Sequence, residues 1–392
     1  INGRASFEKR GRVSVGVGYA ISINQIKNFM GHLRSGRIVD HATLGARVNT
    51  DEDGRRAVVA DLLEESDAYR RGLRYGDEIV AFGGRPIRSA NAFKNVLGIF
   101  PKGWRVPLSV RREGKRSDLL VRLAGVHSET ELLQKVAGRP KVMPMPVPKP
   151  GEKPEPKPGE KPAPKEKPDD GPAPLPEGHP MMLPQRQAPL PEVITKHFEE
   201  KRGFANFYFN RVNRDRVWKA WTAHGDFSPL TKTWTISGPL DGGGQYAFAM
   251  TDAGIALKLP LGETKWTASD EMAASLLPDG SGGLLPALHL WRRLALVGPD
   301  KYGEVTYLGT VPFAGRPEPA DVLVGVYGAV ECHFYFDAKN GLLLGLEMFH
   351  ESGADPCEIY FSDYRDVEGR ALPQRMEVRY GDVKFANFKI DQ

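Results

Sequence analysis

The sequence predicts a multi-domain, mainly β protein in which two folded units are held apart by an extended spacer. Three observations predict it. Between about residues 139 and 191 the composition changes sharply, and more than half of the chain's 32 prolines fall there. On both sides of that break, short segments alternate apolar and polar residues with the period of two that suits a half-buried strand. Glycine-centred turn signals separate those segments at hairpin and meander spacing.

The centre of the break reads KPGEKPEPKPGEKPAPKEKP and holds an eight-residue repeat, Lys149–Pro156 followed by Lys157–Pro164. Proline fixes φ and removes a backbone donor, so neither helix nor sheet propagates across it. Alternating Lys and Glu leave no apolar face to bury. The expectation is a hydrated, disordered polyproline-like linker rising roughly 3 Å per residue. The chain then divides into residues 1–36, 37–126, a linker over 127–191, and 192–392.

Composition narrows the function classes. The hydrophobic share is 40% and the charged share 26%, both ordinary for a globular protein. No apolar run reaches the roughly 18 residues of a transmembrane helix. The net charge of +5 is modest, and no Lys/Arg patch is interleaved with aromatics, so nucleic acid is not an expected partner. Cys332 and Cys357 are the only cysteines, which excludes a disulfide scaffold and a cysteine-rich zinc module. No cofactor motif is present.

Residues 44–124 carry a dense series of ordered signals. Leu44–Val48 and Ala57–Leu63 read as strands. Ser66 caps a short helix, SDAYRRG, with Gly72 as its left-handed stop. Glu78–Phe82 is a strand, and Gly83-Gly84 a tight turn. Ser89 caps a second helix whose Phe93, Val96, Leu97 and Phe100 fall at helical spacing. Two closing strands, VPLSVRR and DLLVRL, meet at Glu113-Gly114.

Within this series the run Glu65–Ile87, ESDAYRRGLRYGDEIVAFGGRPI, resembles the PDZ domain pattern. Ser66, Ala68, Gly72, Leu73, Gly76, Asp77, Ile79, Gly84 and Ile87 stand where that pattern places them. Pro is usual where Asp67 stands, and Ala where Arg71 stands; neither departure touches the peptide groove. The resemblance implies an α+β partial barrel that binds extended peptides by strand addition and captures the terminal carboxylate on backbone N–H groups. It implies a carboxylate-binding loop of Thr43, Leu44, Gly45 and Ala46. It also implies a side-chain pocket lined by Leu44, Ala46, Val48, Phe93 and Leu97, although Phe93 and Leu97 equally suit a place in the core.

The opening segment then becomes readable. RVSVGVGYAIS alternates Val with closely spaced glycines, and Ser22 caps INQIKNFMGHL, with Ile23, Ile26, Phe29, Met30 and Leu33 on one face. A strand, a short amphipathic helix and then a PDZ pattern resembles the end of an HtrA/Deg-type trypsin-like serine protease. The resemblance implies that Gly16, Val17, Gly18 and Tyr19 form a wall of the protease specificity pocket. It places the Ser, His and Asp of the triad upstream of Ile1, so the chain is expected to be a fragment with no catalytic residue of its own. It also implies homo-oligomerisation through parts preceding residue 1, and an extracytoplasmic location in the periplasm or cell envelope.

Two decoys are set aside. Asp279–Gly283, DGSGG, looks like the serine loop of trypsin-like enzymes, but it leads into a helix with Pro286 near its start rather than into a barrel. Ile1-Asn2-Gly3 looks like an activated zymogen terminus, but no protease barrel follows it.

Residues 192–392 read as β-rich. EVITKHFEEKRG suggests a short helix; FANFYFNRV, DRVWKAWTA, KTWTISGP, QYAFAMTD and IALKLP suggest strands. A helical pair is expected around Asp270–Val297, and strands resume to the C-terminus. The order from Tyr307 to Ile390 resembles the C-terminal half of LolA-like domains, curved antiparallel half-barrels whose concave face can hold an acyl chain. Cys332 is expected opposite Glu347 and on the other sheet face from Cys357, giving two free thiols. Glu331, His333, Asp337 and His350 lack ligand spacing, so no metal is expected.

Two functions of different class follow. One is the C-terminal portion of an HtrA/Deg-like endopeptidase, with the PDZ domain taking C-terminal peptides of unfolded or envelope proteins and the last unit recruiting partners or an apolar ligand. The other is a non-catalytic envelope adaptor or lipid/lipoprotein-binding protein built from the same modules.

Overall fold

The computed structural model describes residues 21–136, 192–268, 272–313 and 316–391. The expected pocket wall of Gly16, Val17, Gly18 and Tyr19 and the Pro-rich repeat lie outside the described residues. The architecture is mainly β: among the described residues there are several open antiparallel sheets, few helices and no closed barrel.

The N-terminal part begins with helix α1 (Ile23–Ser35). Ser22 accepts a hydrogen bond from the Gln25 amide at 3.1 Å, and Gly36 stops the helix at φ 65°. There follow β1 (Ala42–Thr43), β2 (Ala46–Thr50), β3 (Ala57–Leu62), α2 (Asp67–Arg70), β4 (Glu78–Phe82), β5 (Arg85–Pro86), α3 (Ala90–Leu97), β6 (Arg105–Arg112), β7 (Lys115–Arg122) and β8 (Ala124–Gly125). The main sheet runs β2-β3-β4-β6-β7, with β5 on β4, and β1 pairs β8. The expected caps are in place: Ser66 and Ser89 accept from the Tyr69 and Ala92 amides, each at 3.2 Å. Glu113 and Gly114 both take positive φ, 50° and 78°, as a two-residue hairpin turn requires. Phe82, Leu108, Ile79 and Leu73 form the centre of the core.

Helix α4 (Glu129–Val136) occupies the first part of the segment expected to be linker. Ser128 and Glu131 form a reciprocal cap there, the Glu131 amide donating to Ser128 Oγ at 3.3 Å and the Ser128 amide to Glu131 Oε2 at 2.9 Å. The helix lies before the first proline of the linker, and that explains why it can form.

The second part contains α5 (Glu192–Thr195), α6 (Phe207–Thr222), β9 (Trp234–Pro239), β10 (Gln245–Met250), β11 (Gly254–Leu259), β12 (Gly262–Thr267) and α7 (Leu284–Lys301). Then come β13 (Glu304–Val311), β14 (Ala320–Tyr327), β15 (Val330–Asp337), β16 (Leu343–Phe349), β17 (Cys357–Ser362), β18 (Arg365–Val367), β19 (Arg370–Leu372), β20 (Arg375–Tyr380) and β21 (Val383–Lys389). One sheet is β12-β11-β10-β9; the larger is β13-β14-β15-β16-β17-β20-β21. They adjoin at a bridge between Leu240 and Phe388, where Gly238 approaches so closely that a Cβ would lie 2.1 Å from the Lys389 carbonyl. In helix α7, Leu284, Leu285, Ala287, Leu288, Leu290, Trp291 and Leu294 are all buried, and the buried Arg292 among them is paired with Asp252.

Three expectations are corrected. The two aromatic segments read as strands over residues 204–223 form the single helix α6, capped by Asn206, whose Oδ1 accepts from the Tyr208 amide at 3.1 Å. Aromatic β-propensity yields there to tertiary packing, because Asn210, Val217 and Trp221 fall on one buried helical face. Cys332 pairs with Met348 rather than Glu347, and Met348 also pairs with Cys357. A bulge between Tyr335 and Phe336 slips the register by one residue and puts both cysteines on the core face. They are free, buried and two strand spacings apart, about 9–10 Å, beyond disulfide reach. In α1 the buried residues are Gly31, His32 and Ser35, while Ile23 and Leu33 are 62% and 61% exposed. Gly31 decides this: a Cβ there would sit 2.3 Å from the Thr310 amide nitrogen, so the glycine lets the helix backbone rest on β13.

Candidate peptide-binding groove

Strand β2 is an edge of the six-stranded sheet, and α3 lies against it. An edge strand presents unpaired main-chain groups to an added strand. The Ala90 amide donates to Thr50 Oγ1 at 3.0 Å, which pins the start of the helix to the end of the strand. Arg47, Asn49 and Thr50 on β2 and Lys94 on α3 are exposed.

The loop Thr43-Leu44-Gly45-Ala46 leads into β2. Gly45 is buried and has φ 73°, a left-handed conformation that curls the chain at the mouth of the groove. A Cβ at Gly45 would meet Ser66 Cβ at 2.6 Å. The Gly45 amide donates to Thr43 Oγ1 at 3.1 Å, and the Gly45 carbonyl accepts from the Leu63 amide at 2.9 Å. Ser66, expected as a helix cap and as part of the PDZ pattern, thus also lies against Gly45, and Thr50 was not singled out in the sequence.

The five pocket residues belong to one apolar cluster. Leu44, Val48 and Phe93 are buried at 3%, 4% and 2% exposure, with Ala46 and Leu97 half-buried beside them. Phe93 also packs edge-on against Phe82, centroids 5.2 Å apart, so it serves the core as well. Ala46 and Leu97 are the two of the five that remain partly open.

Other singled-out residues resolve differently. Ser281 is fully buried, donates to the Pro278 carbonyl at 2.6 Å, and accepts from the Leu284 amide at 3.1 Å. It closes the start of α7 and has no access to a substrate. His333 contacts Glu331 at 2.6 Å, and among the described residues no three potential metal ligands come together. Between the C-terminal sheets lies an apolar concavity of about 290 Å³, lined by Phe227, Trp234, Ile236, Trp291, Leu372 and Ile390 among others.

The PDZ family profile matches residues 42–123. That segment is a PDZ domain. The chain is 29% identical over 115 residues to the periplasmic serine endoprotease DegP of Salmonella typhimurium, covering 26% of this chain and 24% of that protein. It is 29% identical over 137 residues to a probable periplasmic serine endoprotease DegP-like of Chlamydia trachomatis, covering 32% and 28%. The chain thus spans about a quarter of the length of these curated relatives. Among solved structures, the HtrA3 PDZ domain bound to a phage-derived ligand is 20% identical, covering 22% of this chain and 86% of that one, with a TM-score of 0.20. The serine endoprotease from Yersinia pestis is 17% identical, covering 26% and 35%, with a TM-score of 0.21.

Proposed function

We propose that the chain is the C-terminal part of an HtrA/Deg-like serine endopeptidase of the cell envelope, and that its PDZ domain receives the free C-termini of unfolded or envelope proteins. The observation that carries the reading is Gly45, held at φ 73° where the loop turns into the open edge strand β2 beside α3. The family mechanism is acyl transfer through a Ser–His–Asp triad. None of the residues described here takes part in it; their role is to hold and orient substrate. Binding of fluorescent C-terminal peptides tests the groove. Free-acid peptides should bind and amidated ones should not; equal affinity for both would sink the carboxylate loop. The intact mass of the natural protein tests the enzyme reading. A mass above 43.3 kDa by a protease barrel of about 150–200 residues supports it. A mass near 43.3 kDa favours a non-catalytic adaptor.

A second reading concerns the last 200 or so residues, whose strand order resembles LolA-like domains. The apolar concavity lined by Trp234 and Trp291 favours an apolar ligand there. A fatty acid titrated into the protein should quench tryptophan emission saturably. The quench should shrink in Trp234→Ala, and a non-saturable response would count against the site.

A further inference from the structure

Glu347 on β16 and Glu358 on β17 stand directly opposite each other in the sheet. They are 5% and 2% exposed. Two carboxylates so placed repel, and a buried charge without a partner is costly. Among their cross-strand neighbours, His333 stands opposite Glu347 and Arg379 opposite Glu358, but His333 contacts Glu331 and Arg379 donates to Glu377, each at 2.6 Å. The strand groups that hydrogen-bond the pair are hydroxyls: Tyr335 donates to Glu347 at 2.5 Å, and Tyr360 donates to Glu358.

The cations come from the PDZ domain. Arg105 grips Glu358 with both terminal nitrogens, one contact being Nη1 to Oε2 at 3.0 Å, and lies 3.6 Å from Glu347. Arg122 Nη2 donates to Glu347 Oε1 at 2.7 Å. Burial opposes ionisation of Glu347, yet the Arg122 and Arg105 guanidinium groups outweigh it and hold the carboxyl down at about 2. A second set lies alongside. Arg71, at the end of α2, contacts Asp355 and meets Asp382 at 2.9 Å, and Arg70 is 3.5 Å from Asp355. Trp104 packs against the apolar patch of Val311, Phe313, Val322 and Leu344, and the Arg122 guanidinium lies over the Phe349 ring at 5.4 Å.

The polarity of these pairs is consistent. Each of these bridging cations belongs to the N-terminal part, and each acid to the C-terminal part: Glu347 and Glu358 on the sheet, Asp355 and Asp382 in its connections. The contacts use α2, the start of β6 and the end of β7. The peptide groove uses β2 and α3, so the two surfaces are built from different elements.

We propose that the outer face of the seven-stranded sheet is a docking socket for the PDZ domain of the same chain, with the Glu347–Glu358 pair as receptor for Arg105 and Arg122. The C-terminal domain then fixes the orientation in which the β2–α3 groove meets its peptide, and the linker serves as a tether.

The test uses the full chain with a site-specific protease sequence placed between residues 150 and 170. After cleavage at neutral pH and moderate salt, the two halves should migrate as one species in size-exclusion chromatography and native mass spectrometry. Arg105→Glu should weaken their association by at least ~30-fold, the scale expected when a buried charge pair loses its partner. Combining Arg105→Glu with Glu358→Arg should recover a large part of that loss. The rescue separates a specific pair from a folding defect, and Arg105→Gln, which keeps a polar side chain of moderate size, guards against a variant that does not fold. Wild-type halves that separate at micromolar concentration would overturn the proposal. So would charge-reversed halves that associate as tightly as wild type.

Discussion

His32 offers the prediction whose size follows most directly from the structure. It lies at the contact between α1 and the C-terminal sheet, 2% exposed, and neither ring nitrogen has a hydrogen-bond partner of ordinary geometry. Burial disfavours its charged form, and nearby Arg37 and Lys102 repel it further, so its pKa falls from 6.5 to about 4. Unfolded or undocked, the imidazole would take up a proton below pH 6.5; docked, it resists until about pH 4. The docked state therefore keeps its full advantage above pH 6.5 and loses it as pH falls toward 4. Each pH unit of unmatched protonation is worth about 1.4 kcal/mol. Between pH 7 and 4.5 the loss comes to about 2.5 kcal/mol, since roughly two units lie between 6.5 and 4.5 before the docked histidine itself begins to titrate. Hydrogen exchange of α1 amides, Ile26 for example, reports the free energy of opening this contact. Wild type should lose about 2.5 kcal/mol of α1 protection between the two pH values, beyond what His32→Leu loses. An identical pH response in the two proteins would refute the reasoning.

Four further outcomes are expected. Gly45→Val should abolish binding of free-acid peptides and destabilise the PDZ domain by more than ~1 kcal/mol, because a branched side chain must adopt φ 73° against Ser66; peptide titration and thermal melting read both. Ser281→Ala should cost about 1–3 kcal/mol by leaving the buried start of α7 without its acceptor, and a serine-directed fluorophosphonate should not label Ser281 in the native protein. Cys332 and Cys357 should resist alkylation when folded, because burial pushes both thiols up; in urea without reductant, mass spectrometry should find two tags. Below pH 4.5 a second acid transition should loosen the docked PDZ domain. Glu347 is held down at about 2, so its contribution is full above 4.5 and lost as pH falls through 2; association of linker-cleaved halves in this window should fall more steeply in wild type than in Glu347→Gln.

Local signals made the PDZ domain legible. Ser66, Ser89, Gly83-Gly84 and Glu113-Gly114 act within a few residues of themselves, and the helices and turns formed where those residues stand. Helix α6 was harder because its buried positions include Asn210, which a polarity pattern assigns to the surface. Asn210 is buried because it binds three backbone partners at once: the Ser35 and Tyr307 carbonyls at 3.0 and 2.7 Å, and the Tyr307 amide at 2.9 Å. Two of the three lie on strand β13 and the other at the end of α1, so no local window contains them. The same holds for α1: of its apolar stripe Ile23, Ile26, Phe29, Met30 and Leu33, the two ends are exposed and the middle three only half-buried. A glycine-to-strand approach between Gly31 and Thr310 set the buried face.

The docking socket lay furthest from the reach of sequence reading. Arg105 and Glu358 are 253 residues apart, and each looks like an ordinary exposed charge on an alternating strand. What distinguishes them is their contact across the two modules, which covers Glu358 to 2% exposure. That coupling bears on why the contact is ionic. A buried ion pair adds little net stability over well-packed apolar side chains, but it penalises every misaligned alternative, because a shifted register would leave a buried carboxylate unpaired. An apolar patch on the sheet would also have to be tolerated whenever the domain was undocked. Because the two partners belong to one chain, their docking is intramolecular, so the pair need contribute orientation more than affinity. On this account the Arg105–Glu358 and Arg122–Glu347 contacts govern how the PDZ groove is presented. Their removal should change the geometry of peptide delivery before it changes peptide affinity.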